Sequence, residues 1–291
     1  MSILFRTSGM MKGPEFFLKR GGGGLRSVRM PATVAVIERP DGLVLLDAGW
    51  SRLTCAWPER DPGRAKSFFM GLDVKPEDAI ASQLLSLGYA PGDVKHIVTT
   101  HLHIDHAGGA VDFPSATVHC SLREWEEVPK PWRSGYDLRT LGLPNVERHR
   151  VDGPAALGFA ASHDLFGDGT VLLLDARGHT RGSIAVGVKL AEGWCIHAGD
   201  ATMFVDDFHD DASKPPSLYM RALAWDLTTQ RRTYGALLDA EQNHAARVVP
   251  SHDLSVFEAL PHQKEDAWPC AWTRAKGKQQ QQKQQKPRKG Q

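Results

Sequence analysis

Cysteine is scarce in this 291-residue chain: Cys55, Cys120, Cys195 and Cys270 lie far apart, with no pair at CxxC spacing. That excludes a zinc ribbon and a disulfide framework, and leaves reduced thiols as in a cytoplasmic protein. Long hydrophobic runs are also missing. Nothing approaches the roughly 18 apolar residues of a membrane helix, so no membrane partner is expected. The opening MSILFRTSGMMKGPEFFLKR lacks the apolar run and small-residue cleavage site of a secretory signal, and the cytoplasm is the expected compartment. No internal repeat is visible, and no Ser-His-Asp or Cys-His arrangement stands out. The glycine-rich KRGGGGLRS (19–27) has no phosphate-loop spacing and reads as a flexible loop.

Charge of one sign is lacking only on average, since the net charge is +1. The stretch RAKGKQQQQKQQKPRKGQ (274–291) holds seven of the 35 basic residues and no acid, which leaves 28 basic against 34 acidic in the body, net −6. With almost no apolar side chain to bury, that tail is expected to be disordered. A basic tail can touch nucleic acid, but nothing aromatic or structured supports such a role, and nucleic acid is not the expected partner. The folded domain is placed at 1–273.

Hydrophobic content of 41% describes an ordinary globular body. ATVAVIERPDGLVLLDAG (32–49) reads as two strands around Pro40-Asp41-Gly42, a hairpin. KPEDAIASQLLSLGY (75–89) has Pro76 and acids in its first turn, Ile80, Leu84 and Leu87 at helical spacing, and a stop at Gly88, so one helix is predicted. VKHIVTT (94–100) is a buried strand ending at His101. ATVHC (116–120) is another, with Ser121 capping the helix after it. Strands are predicted over 170–176, 183–190, 193–199 and 246–251, and one helix near 217–244. This is an α/β chain.

What is abundant is histidine in one place. TTHLHIDHAGG (99–109) packs His101, His103, Asp105 and His106 into six positions directly after a strand. A loop at a strand end projects side chains into a cleft while the sheet holds the backbone. In H-x-H-x-D-H, His101 and His103 can converge on one ion, and Asp105 and His106, past a bend, on a second. Gly108 and Gly109 let the chain turn closely beside them. Such a pair needs more ligands at later strand ends, and His179, Asp200 and His252 each follow a predicted strand. A carboxylate and a hydroxide are expected between the two ions. The water held there should ionise near neutral pH, since a bound zinc alone lowers water's pKa to about 7. His96, His119, His149, His163, His197, His209, His244 and His262 are read as ordinary surface or core histidines, with His197 set apart by its place three residues before Asp200.

The residues His101-x-His103-x-Asp105-His106, then His179, Asp200 and His252, resemble the metallo-β-lactamase superfamily in type and order. LVLLDAG resembles its first motif, with Asp47 behind the ligands. Within it, THLHIDHAGG, ATVHCSLREWEE and PSHD are most similar to the N-acyl-homoserine lactonases, over residues from about 32 to 260. The resemblance implies a four-layer αβ/βα sandwich with two divalent ions, usually zinc, at one edge. It implies His101, His103 and His179 on one ion, Asp105, His106 and His252 on the other, and Asp200 bridging. Two positions depart from the lactonases. Met203 stands where they carry a tyrosine that supports the lactone carbonyl, with Tyr219 and Tyr234 as replacements further along. Their Pro-Gly-His-Thr-Pro-Gly loop reads Ala176-Arg177-Gly178-His179-Thr180-Arg181-Gly182 here.

The implied reaction is opening of a lactone with an apolar tail, such as an N-acyl-homoserine lactone, by the bridging hydroxide. Asp105 and Asp200 are the catalytic carboxylates, with Asp105 or bulk water returning a proton to the leaving group. Trp50, Trp57, Phe68, Phe69, Met203 and Phe204 are candidates to line the cleft, or simply to pack. Alternatives on the same ions are hydrolysis of a β-lactam, thioester or phosphodiester. A metal-stabilised nucleic-acid-binding module is the non-enzyme alternative. The assembly state stays open, a homodimer being one option.

Overall fold

The run Gly42–Leu46 is apolar at every position because both of its faces are covered. In a computed structural model of the chain, residues 1–128, 135–209 and 216–260 are described. Leu43 and Leu45 point to one side, onto Ile80, Leu84 and Phe113. Val44 and Leu46 point to the other, toward Val171, Leu173, Val186 and Val249. Period-2 alternation on a strand buried twice gives an unbroken hydrophobic run rather than an alternating one.

That strand is β3 of a six-stranded sheet in the order β1 (Ile3–Pro14), β2 (Ser27–Arg39), β3 (Gly42–Leu46), β4 (Val94–Val98), β5 (Thr117–Ser121) and β6 (Val146–His149). The first three strands pair antiparallel and the last three join in parallel. A second, five-stranded sheet has the order β11 (Ala246–Pro250), β10 (Gly193–Gly199), β9 (Ile184–Leu190), β8 (Val171–Asp175), β7 (Ser162–Asp164). The two sheets share one core. The helix Ile80–Ser86 covers the outer face of the first, and Leu227–Asn243 packs Tyr234, Leu237 and Ala240 on the outer face of the second. Helix, sheet, sheet, helix is the four-layer αβ/βα sandwich.

Two predicted helices are interrupted. Over 75–89, Pro76–Asp78 closes as a single 3-10 turn and Ala79 is extended at ψ 132° before the α-helix begins. The Asp78 carboxylate accepts from the Lys75 amide at 2.8 Å, and Gln83 Nε2 donates to the Asp78 carbonyl at 2.7 Å, so the turn is satisfied without continuing into a helix. The expected helix at 217–244 is two, Leu218–Leu223 and Leu227–Asn243. In the gap, the amides of Trp225 and Asp226 donate to the carbonyls of His179 and Gly178, so tertiary bonds to a distant loop replace a helical turn. Strands β1, β6 and β7 had no prediction.

Cys55, Cys120 and Cys195 are buried and unpaired, while Cys270, His262 and the tail at 274–291 lie outside the described residues. Among the described residues no helix is long and apolar enough to cross a membrane.

Candidate metal centre

The loops that follow β3, β4, β8, β10 and β11 meet at one edge of the sandwich, and each brings part of a single cluster. At its middle lies Asp200, 3% exposed. A bulge between His197 and Gly199, with Gly199 at φ +54°, turns it inward. Glycine is required at 199, since a Cβ there would lie 2.4 Å from Thr100 Oγ1. One carboxylate oxygen of Asp200, Oδ1, is 2.9 Å from His252 Nε2 and 3.2 Å from His106 Nε2. The other, Oδ2, is 3.4 Å from His179 Nε2 and 3.9 Å from His101 Nε2. Asp105 Oδ2 stands 3.6 and 3.7 Å from the same nitrogens of His106 and His252, and His103 Nδ1 is 3.1 Å from His179 Nε2.

All seven sequence-predicted donors are therefore brought together. They form overlapping trios: His101, His103 and His179; His101, His106 and Asp200; Asp105, His106 and His252. The Nε2 atoms of His101, His106 and His252 and Asp200 Oδ1 are buried without a hydrogen-bond partner. Buried polar atoms are almost always satisfied, so four such atoms converging on one space are what a cation site would leave. Burial, followed by the neighbouring imidazoles, pushes His101 and His103 well below the ordinary histidine range, toward the neutral form a metal requires. Burial opposes charge on His106 as well, but Asp200, Asp105 and Asp47 outweigh it and hold that imidazole well above the range.

The outer nitrogens and neighbouring backbone are anchored. Asp47, fully buried at φ 60°, accepts from the Thr100 amide at 2.7 Å, Thr100 Oγ1 at 2.9 Å, His106 Nδ1 at 2.8 Å and His197 Nε2 at 2.9 Å. Burial would raise its pKa, yet His106 and His197 bring it down to about 2. His197, left ambiguous by sequence, thus faces Asp47 from behind the cluster. His252 Nδ1 donates to the Pro31 carbonyl at 2.8 Å. Such partners fix ring orientation and tautomer. Gly109 serves a different close approach from the one expected. A Cβ there would lie 2.2 Å from the Ala48 carbonyl, so the glycine lets the histidine loop press on the Asp47 turn rather than on an ion.

Sequence reasoning missed Glu124 and Gly135. Ser121-x-x-Glu124 has the capping-box pattern, and Ser121 does accept from the Glu124 amide. The Glu124 carboxylate turns elsewhere, accepting from the Leu102 amide at 3.0 Å and from Thr180 Oγ1 at 2.6 Å. It joins the two loops that carry His101, His103 and His179. Gly135 leaves room for His103, whose ring a Cβ at 135 would meet at 2.6 Å.

The apolar candidates divide. Trp50, Met203 and Phe204 are fully buried in one core cluster, where Met203 packs as an ordinary core residue. Trp57, Phe68 and Phe69 are exposed, the last two at 89% and 81%. Phe68 and Phe69 end the helix Arg64–Phe69, whose Lys66 adds a small charge effect at His103. Tyr219 packs on the Met203 cluster. Burial, then the charges of Asp200 and Asp105, push its phenol well above the usual tyrosine range, which keeps it protonated. Tyr234 answers first to burial and then to Asp207, with Asp200 last.

The model of the metallo-beta-lactamase superfamily matches residues 28–252. Among curated proteins, the chain is 38% identical over 185 residues to the probable metallo-hydrolase Rv2300c of Mycobacterium tuberculosis, covering 58% of this chain and 56% of that one. The chain thus spans little more than half of that relative's length. It is 26% identical over 266 residues to the N-acyl homoserine lactonase AttM of Azorhizobium caulinodans, covering 90% of this chain and 92% of that one. Among solved structures, an N-acyl homoserine lactone hydrolase with N-hexanoyl-L-homoserine at its catalytic metal centre superposes with a TM-score of 0.71 at 19% identity, covering 88% of this chain and 95% of that one. The dizinc lactonase AidC gives a TM-score of 0.59 at 16% identity, with 87% of each chain covered.

Proposed function

This chain belongs to the metallo-beta-lactamase superfamily, as a metallo-hydrolase related to the N-acyl-homoserine lactonases, and from that premise we propose that it uses two divalent ions, zinc foremost, to hydrolyse a lactone bearing an apolar tail. One observation carries the two-ion reading: Asp200 offers one oxygen to His101 and His179 and the other to His106 and His252. A structural zinc site is typically closed by four ligands and has no shared carboxylate. His101, His103 and His179 would hold one ion, Asp105, His106 and His252 the other, and Asp200 both. When bound, the pair supplies an ionised water at neutral pH and a Lewis acid for the ester carbonyl.

The chain's own groups do the rest. Asp47 and the Pro31 carbonyl hold His106 and His252 in the tautomers that present Nε2 to the centre. Tyr219, protonated and under the influence of the Asp200 and Asp105 charges, is the donor we assign to a developing oxyanion, in place of the residue at 203. Asp105 is the carboxylate placed to carry a proton to the departing alkoxide. Phe68 and Phe69, exposed on the helix Arg64–Phe69, are the apolar side chains proposed to meet an acyl tail. The lactone, rather than another hydrolysable group, is supported by the likeness to AttM along most of both chains.

The test is a panel of N-acyl-homoserine lactones of increasing chain length, followed by proton release, beside a chromogenic β-lactam, a thioester and a phosphodiester. The lactones should turn over fastest. Phe68→Ser with Phe69→Ser should raise KM for long acyl chains and spare short ones. Preferential turnover of any of the other three esters or amides would overturn the substrate assignment.

A further inference from the structure

Four of the histidines outside the metal cluster form a row. His96 on β4, His119 on β5 and His149 on β6 lie on one face of the first sheet, since His96 aligns with Thr117, and Glu147 and His149 align with His119 and Ser121. His163 of β7, from the other sheet, stacks on His149 with ring centroids 4.9 Å apart. His96 Nδ1 is 2.9 Å from His119 Nε2, and His119 Nδ1 is 3.0 Å from His149 Nε2. The Glu147 carboxylate approaches from the solvent side, its Oε2 3.5 Å from His119 Nδ1 and 3.9 Å from His149 Nε2.

We propose that His119, Glu147 and His149 form a further binding site for a divalent transition-metal ion, separate from the centre built around Asp200. The three donor atoms stand 3.0, 3.5 and 3.9 Å apart. Metal–nitrogen bonds of about 2.0–2.1 Å at tetrahedral angles separate donors by roughly 3.4 Å, so one ion can touch all three with small movements. Glu147 reaches the pair from solvent, with its side chain 61% exposed. Its Oε2 lies too far from either nitrogen for a good hydrogen bond, and it faces the His119 Nδ1 atom, which carries a lone pair whenever Nε2 holds the proton.

Part of the proton arrangement is already in place. Asp41 Oδ2 is 3.3 Å from His96 Nε2 and can accept from it. That leaves His96 Nδ1 to accept from His119 Nε2–H, and His119 Nδ1 to accept from His149 Nε2–H, a proton that an incoming ion would displace. A ligand histidine whose outer N–H is held by an acceptor is the usual arrangement behind a metal site. Two imidazoles and a carboxylate suit zinc, cobalt or nickel. Three protein ligands leave a position open. The exposed Glu147 side chain gives a hydrated ion a way in from solvent.

The test counts metal. Chelator-stripped full-length protein is dialysed against Zn²⁺ buffered across a range of free concentrations, and bound zinc is measured by mass spectrometry. His149→Ala and Glu147→Gln are the working variants, because both side chains reach solvent and neither supports the core. Each should bind one equivalent less than the unaltered chain, or bind it at least tenfold more weakly, with hydrolytic turnover unchanged. The Asp200→Asn chain should lose one further equivalent when His149→Ala is added. Equal zinc content in all of these chains at every concentration would overturn the proposal. So would loss of turnover together with the equivalent, since the ion would then belong to the Asp200 centre.

Discussion

Replacing Asp200 by asparagine keeps the shape of the side chain and one of its oxygens but removes the charge. Oδ1 serves His252 and His106 at 2.9 and 3.2 Å, and Oδ2 serves His179 and His101 at 3.4 and 3.9 Å. An amide can present oxygen to only one of these pairs and turns an NH2 group toward the other. The centre also becomes more positive by one unit. Unit charges about 4 Å apart interact by about 4 kcal/mol at an effective dielectric of 20, equivalent to roughly a thousandfold in affinity, and a ligand lies closer than that. Asp47→Asn is the control, because Asp47 touches His106 from behind. Loss of such a supporting partner typically costs about 10–100-fold in metal affinity or activity. Metal content and turnover, measured side by side with a thermal melt to show folding, should rank the unaltered chain first, the Asp47 variant second and the Asp200 variant last. Nearly full turnover and metal content in Asp200→Asn, or the reverse order of the two variants, would refute the shared-carboxylate reading.

Tyr219→Phe should lower kcat by about 10²–10³, the usual cost of one oxyanion donor, with KM little changed, whereas Tyr234→Phe should leave both constants alone; equal effects would remove Tyr219 from the reaction. Glu124→Gln replaces one accepting oxygen by an NH2 group and so breaks at least one of the bonds that the carboxylate accepts; a destabilisation of about 1–3 kcal/mol and faster loss of metal to a chelator are expected, read by denaturant titration and metal release. Gly109→Ala drives a methyl group into the Ala48 carbonyl, and should lower Tm and turnover together. Asp207 is buried, and burial raises its pKa from 3.8 to about 6. A carboxyl raised on folding favours the folded state below its unfolded pKa and loses that stability as pH rises through about 6. Asp207→Asn should therefore gain stability relative to the unaltered chain between pH 4 and 7, by at most about 3 kcal/mol. A parallel pair of Tm curves over that range would refute it.

Much of this arrangement was legible because the informative residues sit where strands stop. Gly42–Leu46 and Val94–Val98 read as strands from their apolar runs, and their ends deliver Asp47 and His101 to the same edge. The two broken helices were not legible, because the break at 224–226 depends on carbonyls of Gly178 and His179 more than forty residues away in sequence. Glu124 was hidden behind a local pattern that predicts a bond to its own helix. Long-range hydrogen bonding decided its role instead, and no spacing rule reports that. Strand β7 is only three residues long, too short to show a period. Phe204 and Met203 looked equally suited to a cleft or a core, and only their packing separates the two.

The central claim is that the cluster around Asp200 holds two ions that together open a lactone. The most direct measurement follows ring opening of N-hexanoyl-homoserine lactone by His149→Ala protein, in which that cluster is the metal centre left to count, alongside its zinc content. The account predicts about two equivalents of metal, activity abolished by a strong chelator, and recovery as the second equivalent of Zn²⁺ is restored. Full activity with one equivalent, or activity that survives the chelator with no metal bound, would contradict it.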